Sequence, residues 1–231
     1  MKHRTWEPRA AYEARQIGAS TSKIGYCKFS FRDAERYVRV IRRDRGRRGE
    51  PASVGPVLCL GVRNGREVDC FRIARSGSWW RRRLVRVLER RHKGFRSRLP
   101  VVEMPGRSRY GALGADSVIG VELNPIGARR DVWVGSYDAL PESWAGAFHV
   151  VFTNAFDHAY EPEATVACWK RVMTPGGYIV LDYPGGQDSA PIDPVGEVTL
   201  EDVRRLFGGE LIYYAARGSE WTYSTYILRM P

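Results

Sequence analysis

The 231-residue sequence is poor in lysine: five lysines stand against 32 arginines. It has four cysteines, Cys27, Cys59, Cys70 and Cys168, and no CxxC pair among them. Neither a zinc site nor a redox pair is therefore signalled, and reduced, buried thiols are expected. The opening stretch, "MKHRTWEPR", is charged and holds no apolar run of signal-peptide length. No segment is apolar over the ~20 residues that a membrane span requires. These absences predict a cytoplasmic protein without membrane insertion. Acids are scarce in one stretch: residues 72–109 hold 13 basic and 2 acidic side chains.

What is present suits one α/β domain with an accessory segment. Apolar residues make up 43% of the chain, enough for a proper core. The net charge of +11 is uneven, with 14 basic and 6 acidic residues over 1–50 but 8 and 16 over 110–231. A basic surface attracts nucleic acid, phosphorylated sugars, nucleotide-linked substrates or acidic membrane lipids. Arginine on solvated faces is the plainer reading of the same residues.

Residues 1–50 read as an N-terminal helical accessory or lid segment. In "SFRDAERYVRVIRR", Ser30 and Asp33 form a capping-box pattern, and Ala34, Tyr37, Val38 and Ile41 fall on one helical face. "DRGRRGEPASVGP" is a turn-rich linker. "VLCLGVRNGREVDCF" then reads as a strand, a glycine-bounded turn and a helix from Arg66 to about Arg75. An excursion over about 76–114 follows. Ser78 is its candidate N-cap, and Trp80, Leu84, Val87 and Leu88 form an apolar stripe on a strongly basic helix. Further strands are expected at Ser117–Leu123, "DVWVG", "FHVVFTN" and "GYIVLDY", with a helix in "EATVACWKRVM". "ELIYYAARG" and "WTYSTYILRM" read as a terminal hairpin. Alternating strands and helices predict a mostly parallel sheet covered on both faces.

Four segments, taken in order, resemble the class I S-adenosylmethionine-dependent methyltransferases over roughly residues 55–230. "VLCLGVRNG" stands where that family has its first glycine-rich loop, and "VIGVELN" resembles its second strand with a terminal acid. "VGSYDALPESWAGAFHVVFTNAFDH" resembles the acid, Leu-Pro pair and fourth strand. "WKRVMTPGGYIVLDY" resembles the helix, Pro-Gly-Gly turn and fifth strand. The resemblance implies a Rossmann-like seven-stranded sheet with an antiparallel last strand and S-adenosylmethionine as cofactor. It also implies that Gly61, Asn64 and Gly65 approach the methionine part and Glu122 the ribose hydroxyls. By the same resemblance Asp138 contacts adenine, with Ser136 or Tyr137 as alternatives, and Asn154 lines the sulfonium region. Cys59 stands where the family has an acid and Arg63 where it has a glycine. Arg63 can offer its guanidinium to the cofactor carboxylate, which makes the loop a customised one.

The acceptor is less legible. A proline-proline-aromatic motif after the fourth strand, expected of enzymes acting on exocyclic base amines, is absent. "NAFDHAY" stands there instead. The "CLGVRNGREVDCF" style of loop, with the His after the fourth strand, resembles methyltransferases of sugars and other small polar hydroxyl compounds, which implies a sugar or glycan acceptor, an anionic one given the basic segments at 28–48 and 72–109. His158 is the candidate general base, because its ordinary pKa suits proton transfer near neutrality. Asp157 would orient it or act itself, and Asp182 is a second candidate. Trp80 and Arg81 are candidate acceptor contacts. RNA methylation through the arginine-rich helix and its Trp pair is the alternative. A non-catalytic binding module of the same fold is the third reading.

Overall fold

The computed structural model describes residues 1–25, 27, 29–76, 79–91, 114–184, 187–216 and 223–231. The apolar runs become seven strands: β1 (Val57–Leu60), β2 (Val118–Glu122), β3 (Val132–Val134), β4 (Phe148–Thr153), β5 (Met173–Pro184), β6 (Glu210–Ala216) and β7 (Tyr223–Arg229). They form one sheet in the order β3-β2-β1-β4-β5-β7-β6. Strands β1 to β5 pair in parallel, and β7 runs antiparallel to both β5 and β6. The expected α/β sheet with a reversed final strand is therefore present. From β1 the chain moves outward through β2 and β3, then restarts on the other side of β1 with β4 and β5. That reversal opens a crevice beyond the carboxyl ends of β1 and β4, where ligands of doubly wound sheets bind.

The central strands are apolar throughout because both of their faces are covered. Leu58, Leu60, Ile119, Val121, Val151, Ile179 and Leu181 face one way. Helices α5 (Pro162–Arg171) and α6 (Leu200–Phe207) pack there through Val166, Trp169, Val203 and Phe207. Val57, Cys59, Val118, Val150, Phe152 and Val180 face the other way. They meet α2 (Phe31–Arg47) through Tyr37, Val38 and Ile41, and α3 (Arg66–Arg75) through Val68 and Phe71. The capping box of Ser30 and Asp33 starts α2 as the sequence predicts. Of the N-terminal fifty residues, α2 thus belongs to the core, whereas α1 (Arg9–Ser22) buries only Tyr12.

Local differences from the sequence reading have physical reasons. The Pro-Gly-Gly stretch makes a bulge inside β5, not a turn ahead of it. Between Phe148 and Val150 of β4 the pairing jumps from Met173 to Tyr178, and Gly176 absorbs the detour at φ 68°. Helix α4 (Trp79–Arg91) lies in the basic insertion, but its apolar stripe faces outward: Trp80 is 54% and Leu84 51% exposed. Its inner side is held by Val85, packed against the core of α2 and α3, and by arginines: Arg82 donates to the Ser76 carbonyl and Arg86 pairs with Glu35 of α2. The expected cap Ser78 and the Leu88 side chain lie outside the described residues. Among the described residues no helix is long and apolar enough to cross a membrane.

Candidate functional site

The loop after β1 is shaped by its glycines. Gly61 has φ 71°, and a Cβ there would lie 2.6 Å from the Cβ of Ala155. Gly65 has φ 76°, and a Cβ there would lie 2.6 Å from Arg129 Nη1. Arg63, between them, also sits in the left-handed region at φ 46°, the one non-glycine residue to do so among those described. A side chain in that region costs roughly 1–2 kcal/mol. Its amide is engaged in return, since Arg63 N–H donates to Glu122 Oε2 at 2.7 Å. The Asn124 amide donates to Glu122 Oε1 at 3.1 Å. The acid that ends β2 therefore braces the β1 loop. Burial raises the Glu122 pKa above the usual carboxylate value, and the two amide hydrogen bonds oppose that rise.

A cavity of about 350 Å³ lies beyond the carboxyl ends of β1, β2 and β4. Gly61, Arg63 and Glu122 contribute to its lining from the sheet side, Ser136 to Asp138 after β3, and Asn154, Asp157 and His158 after β4. Tyr12, Glu13 and Gln16 line it from α1. The helix is fastened at several points. Asn124 Nδ2 reaches the Ile17 carbonyl at 3.1 Å, Ser20 Oγ at 2.7 Å and Thr21 Oγ1 at 2.8 Å. Tyr12 OH donates to the His158 carbonyl at 2.7 Å, and Gln16 donates to the Ile192 carbonyl. Arg9 Nη2 donates to Asp138 Oδ2 at 3.1 Å, while Asp138 Oδ1 accepts from Thr165 Oγ1 at 2.7 Å. Burial raises the Asp138 pKa against the lowering effects of Thr165 and Arg9.

His158 is held between carboxylates. Its Nδ1 lies 3.0 Å from Asp193 Oδ1 and 3.0 Å from the Ile192 carbonyl, and its Nε2 lies 3.9 Å from Asp157 Oδ1. Burial lowers the imidazole pKa, but Asp157 and Asp193 outweigh it and push the value up to about 9. At neutral pH the ring is thus an imidazolium, whereas the sequence reading relied on a neutral one. Asp157 Oδ1 is buried and accepts no hydrogen bond among the described residues. Burial raises the Asp157 pKa, opposed by the charge of His158. Asp157, His158 and Asp193 also present three potential metal-ligand atoms within 4.8 Å of one another. In this structure the three groups face one another as ion pairs, His158 with Asp193 at 3.0 Å and with Asp157 at 3.9 Å.

Other residues singled out by sequence lie away from the cavity lining. Asn64 donates to the Ile24 carbonyl at 3.0 Å and accepts from the Arg66 amide at 3.1 Å, which turns the chain into α3. Asp182 accepts from Tyr37 OH at 2.6 Å and from Thr225 Oγ1 at 2.6 Å, under α2. Trp80 is exposed on α4, and the Arg81 side chain lies outside the described residues. The structure adds residues that the sequence reading missed. Asn124 follows the acid by two positions, a nearness that was legible. Tyr12, Gln16 and Asp193 reach the site only through folding, and no local pattern marks them.

No protein-family model matches the chain, and no curated protein sequence matches it. Solved structures do match. The 1,6-didemethyltoxoflavin-N1-methyltransferase of Burkholderia thailandensis, solved with 1,6-didemethyltoxoflavin and S-adenosylhomocysteine, superposes with a TM-score of 0.55 at 13% identity, covering 98% of this chain and 92% of that one. The (4+2)-cyclase SpnF superposes with a TM-score of 0.50 at 12% identity, covering 100% of this chain and 87% of that one. At such identities the likeness shows the fold: the Rossmann-like fold of class I methyltransferases.

Proposed function

We propose that this chain binds S-adenosylmethionine and transfers its methyl group to a hydroxyl of a small polar acceptor, a sugar or glycan unit being the kind of molecule meant. One observation carries the reading: Gly61, Arg63, Glu122, Asp138 and Asn154 line one cavity beyond the carboxyl ends of β1, β2 and β4. The likeness to a methyltransferase solved with S-adenosylhomocysteine supports the same reading.

The residues fit such a cofactor. Each Glu122 oxygen accepts one amide hydrogen bond and keeps capacity for a second, which suits two ribose hydroxyls. Asp138 and Ser136, which line the same cavity, are the proposed contacts of the adenine amino group, and Arg63 that of a carboxylate. When bound, the cofactor supplies a sulfonium methyl group open to in-line displacement. The protein's part is to hold the acceptor oxygen in line and to receive its proton. Asp157 Oδ1, buried without a hydrogen bond among the described residues, is the proton acceptor in this reading. His158, already protonated, fixes it in place, and α1 covers the site against water.

The acceptor reading shifts in charge. Glu13, Glu67, Glu122, Asp138, Asp157 and Asp193 line the cavity against Lys23, Arg63 and His158. A neutral hydroxylic acceptor fits this lining better than the anionic one suggested by the basic segments. Arginines of those segments are engaged elsewhere: Arg42 and Arg45 of α2 donate to backbone carbonyls, and Arg86 of α4 pairs with Glu35. A second reading, RNA methylation, keeps one supporting observation: Trp79 is 69% and Trp80 54% exposed on basic α4, a surface suited to base stacking.

Calorimetric titration with S-adenosylmethionine and S-adenosylhomocysteine tests the cofactor. Saturable binding is expected, and absence of binding to the folded chain would overturn the proposal. A methyl-transfer screen over sugars, nucleotide-sugars and RNA then separates the acceptors. Transfer to RNA with salt-sensitive retention on heparin would favour the second reading.

A further inference from the structure

Glu67, in the first turn of α3, is 4% exposed and lines the cavity. Its polar partners gather on one oxygen. Cys27 Sγ–H donates to Glu67 Oε1 at 3.1 Å, and Asn154 Nδ2 donates to the same atom at 3.4 Å. Glu67 Oε2 is buried and accepts no hydrogen bond among the described residues. A buried carboxylate with one unsatisfied oxygen costs free energy unless a donor reaches it. The other acid of this segment does not share the role, because Asp69 is held by Arg72 and Arg129. Arg63, of opposite charge, lines the same cavity from the loop.

A carboxylate and a guanidinium on one wall match a zwitterion, with an ammonium at the first and a carboxylate at the second. We propose that Glu67 is the counter-ion of a primary ammonium group on the bound ligand. Under the cofactor reading above, on which this assignment rests, that group is the α-ammonium of the amino-acid moiety. Asn154 then acts by holding Glu67 Oε1, which leaves Oε2 turned to the ligand. Cys27 does the same from the segment before α2. Burial raises the Glu67 pKa, opposed by the Cys27 and Asn154 hydrogen bonds and by the charge of Arg63. An arriving ammonium would favour the ionised form.

The test compares two ligands in calorimetry. S-adenosylhomocysteine carries the ammonium; 5′-methylthioadenosine keeps the nucleoside thioether and lacks the amino acid. Glu67→Gln should weaken S-adenosylhomocysteine about tenfold to a hundredfold, and 5′-methylthioadenosine by less than about twofold, as expected for loss of one hydrogen bond to a charged group. Equal loss for both ligands would show that Glu67 only shapes the cavity, and unchanged affinity would show that it touches no ammonium; either overturns the assignment and leaves the cofactor reading standing. If neither ligand binds wild-type protein, the cofactor reading falls and the assignment with it. Should the variant not fold, the wild-type preference for S-adenosylhomocysteine over its deaminated analogue is measured against pH. The charged or titratable neighbours are Cys27, Cys59 on β1 and Arg63 in the loop. The preference should be full above the Glu67 pKa and shrink as pH falls through it. A preference that is absent, or flat with pH, overturns the assignment.

Discussion

The Arg63 amide donates to Glu122 Oε2 at 2.7 Å, and this contact joins the loop after β1 to the end of β2. It accounts for a left-handed backbone at a residue with a side chain. The hydrogen bond to a buried carboxylate contributes about as much as the strained φ costs. The loop geometry and the acid that ends β2 are therefore one unit.

Glu122→Ala should break that unit. Cofactor affinity is expected to fall by about 1.5–3 kcal/mol, the range for hydrogen bonds to a charged group. The melting temperature should fall as well, because two buried amides, Arg63 N–H and Asn124 N–H, lose their acceptor. Calorimetry and thermal unfolding read the two effects separately. Unchanged cofactor affinity in a folded variant would remove Glu122 from the ribose.

Arg63→Gly separates strain from recognition. Glycine adopts φ 46° freely, so the melting temperature should hold or rise, within about 1 kcal/mol after the added freedom of the unfolded chain. Cofactor affinity should drop with loss of the guanidinium. A variant that binds as tightly as wild type would show that the arginine serves only the protein.

The imidazole of His158 has a testable pH signature. Its folded-state pKa, about 9, lies above the ordinary 6.5. The stability it contributes is fully present below about pH 6.5 and is lost as pH rises through about 9. The upper bound is about 3 kcal/mol. The unfolding free-energy difference between wild type and His158→Gln, measured from pH 6 to 10, should shrink over that window. A constant difference would mean that the carboxylates do not hold the ring charged.

Turnover distinguishes the base. If Asp157 receives the proton, Asp157→Asn should lower the maximal rate by about 10²-fold or more, with much less effect on cofactor affinity. The rate should fall as pH drops through the Asp157 carboxyl, which burial places above the usual range. A rate that instead climbs through about pH 9 would identify neutral His158 as the base.

Helix α4 should be held weakly. Arg86→Gln is expected to cost no more than about 1 kcal/mol, because the Arg86 side chain is 43% exposed in its pair with Glu35. Replacing Trp79 and Trp80 by Ala should leave stability within about 0.5 kcal/mol. A drop of several degrees in melting temperature would show that these tryptophans are packed in solution.

The sequence by itself determined the sheet and the loop. Unbroken apolar runs such as Val57–Leu60 and residues 150–152 have no polar face to turn to solvent, so they had to become strands covered on both sides. Glycines at 61 and 65 marked where the backbone must take a left-handed turn. The acids at 122, 138 and 157 were legible because the first ends a strand and the other two follow one within a few residues. Thr199 and Asp202 also carried a capping box that announces α6, a local signal the sequence reading passed over. Tertiary structure alone decided the rest. Whether His158 is neutral depends on Asp193, 35 positions away, and on the desolvation of both. That α1 covers the cavity follows from Asn124 and Asp138 hydrogen-bonding a segment more than a hundred residues distant. On α4 the inward side is the one that carries Val85 and the Arg86 pair with Glu35, and the stripe of Trp80, Leu84 and Val87 did not encode that. Charge state, cover and orientation depend on contacts distant in sequence, so local pattern fixes the elements and leaves their chemistry to the fold.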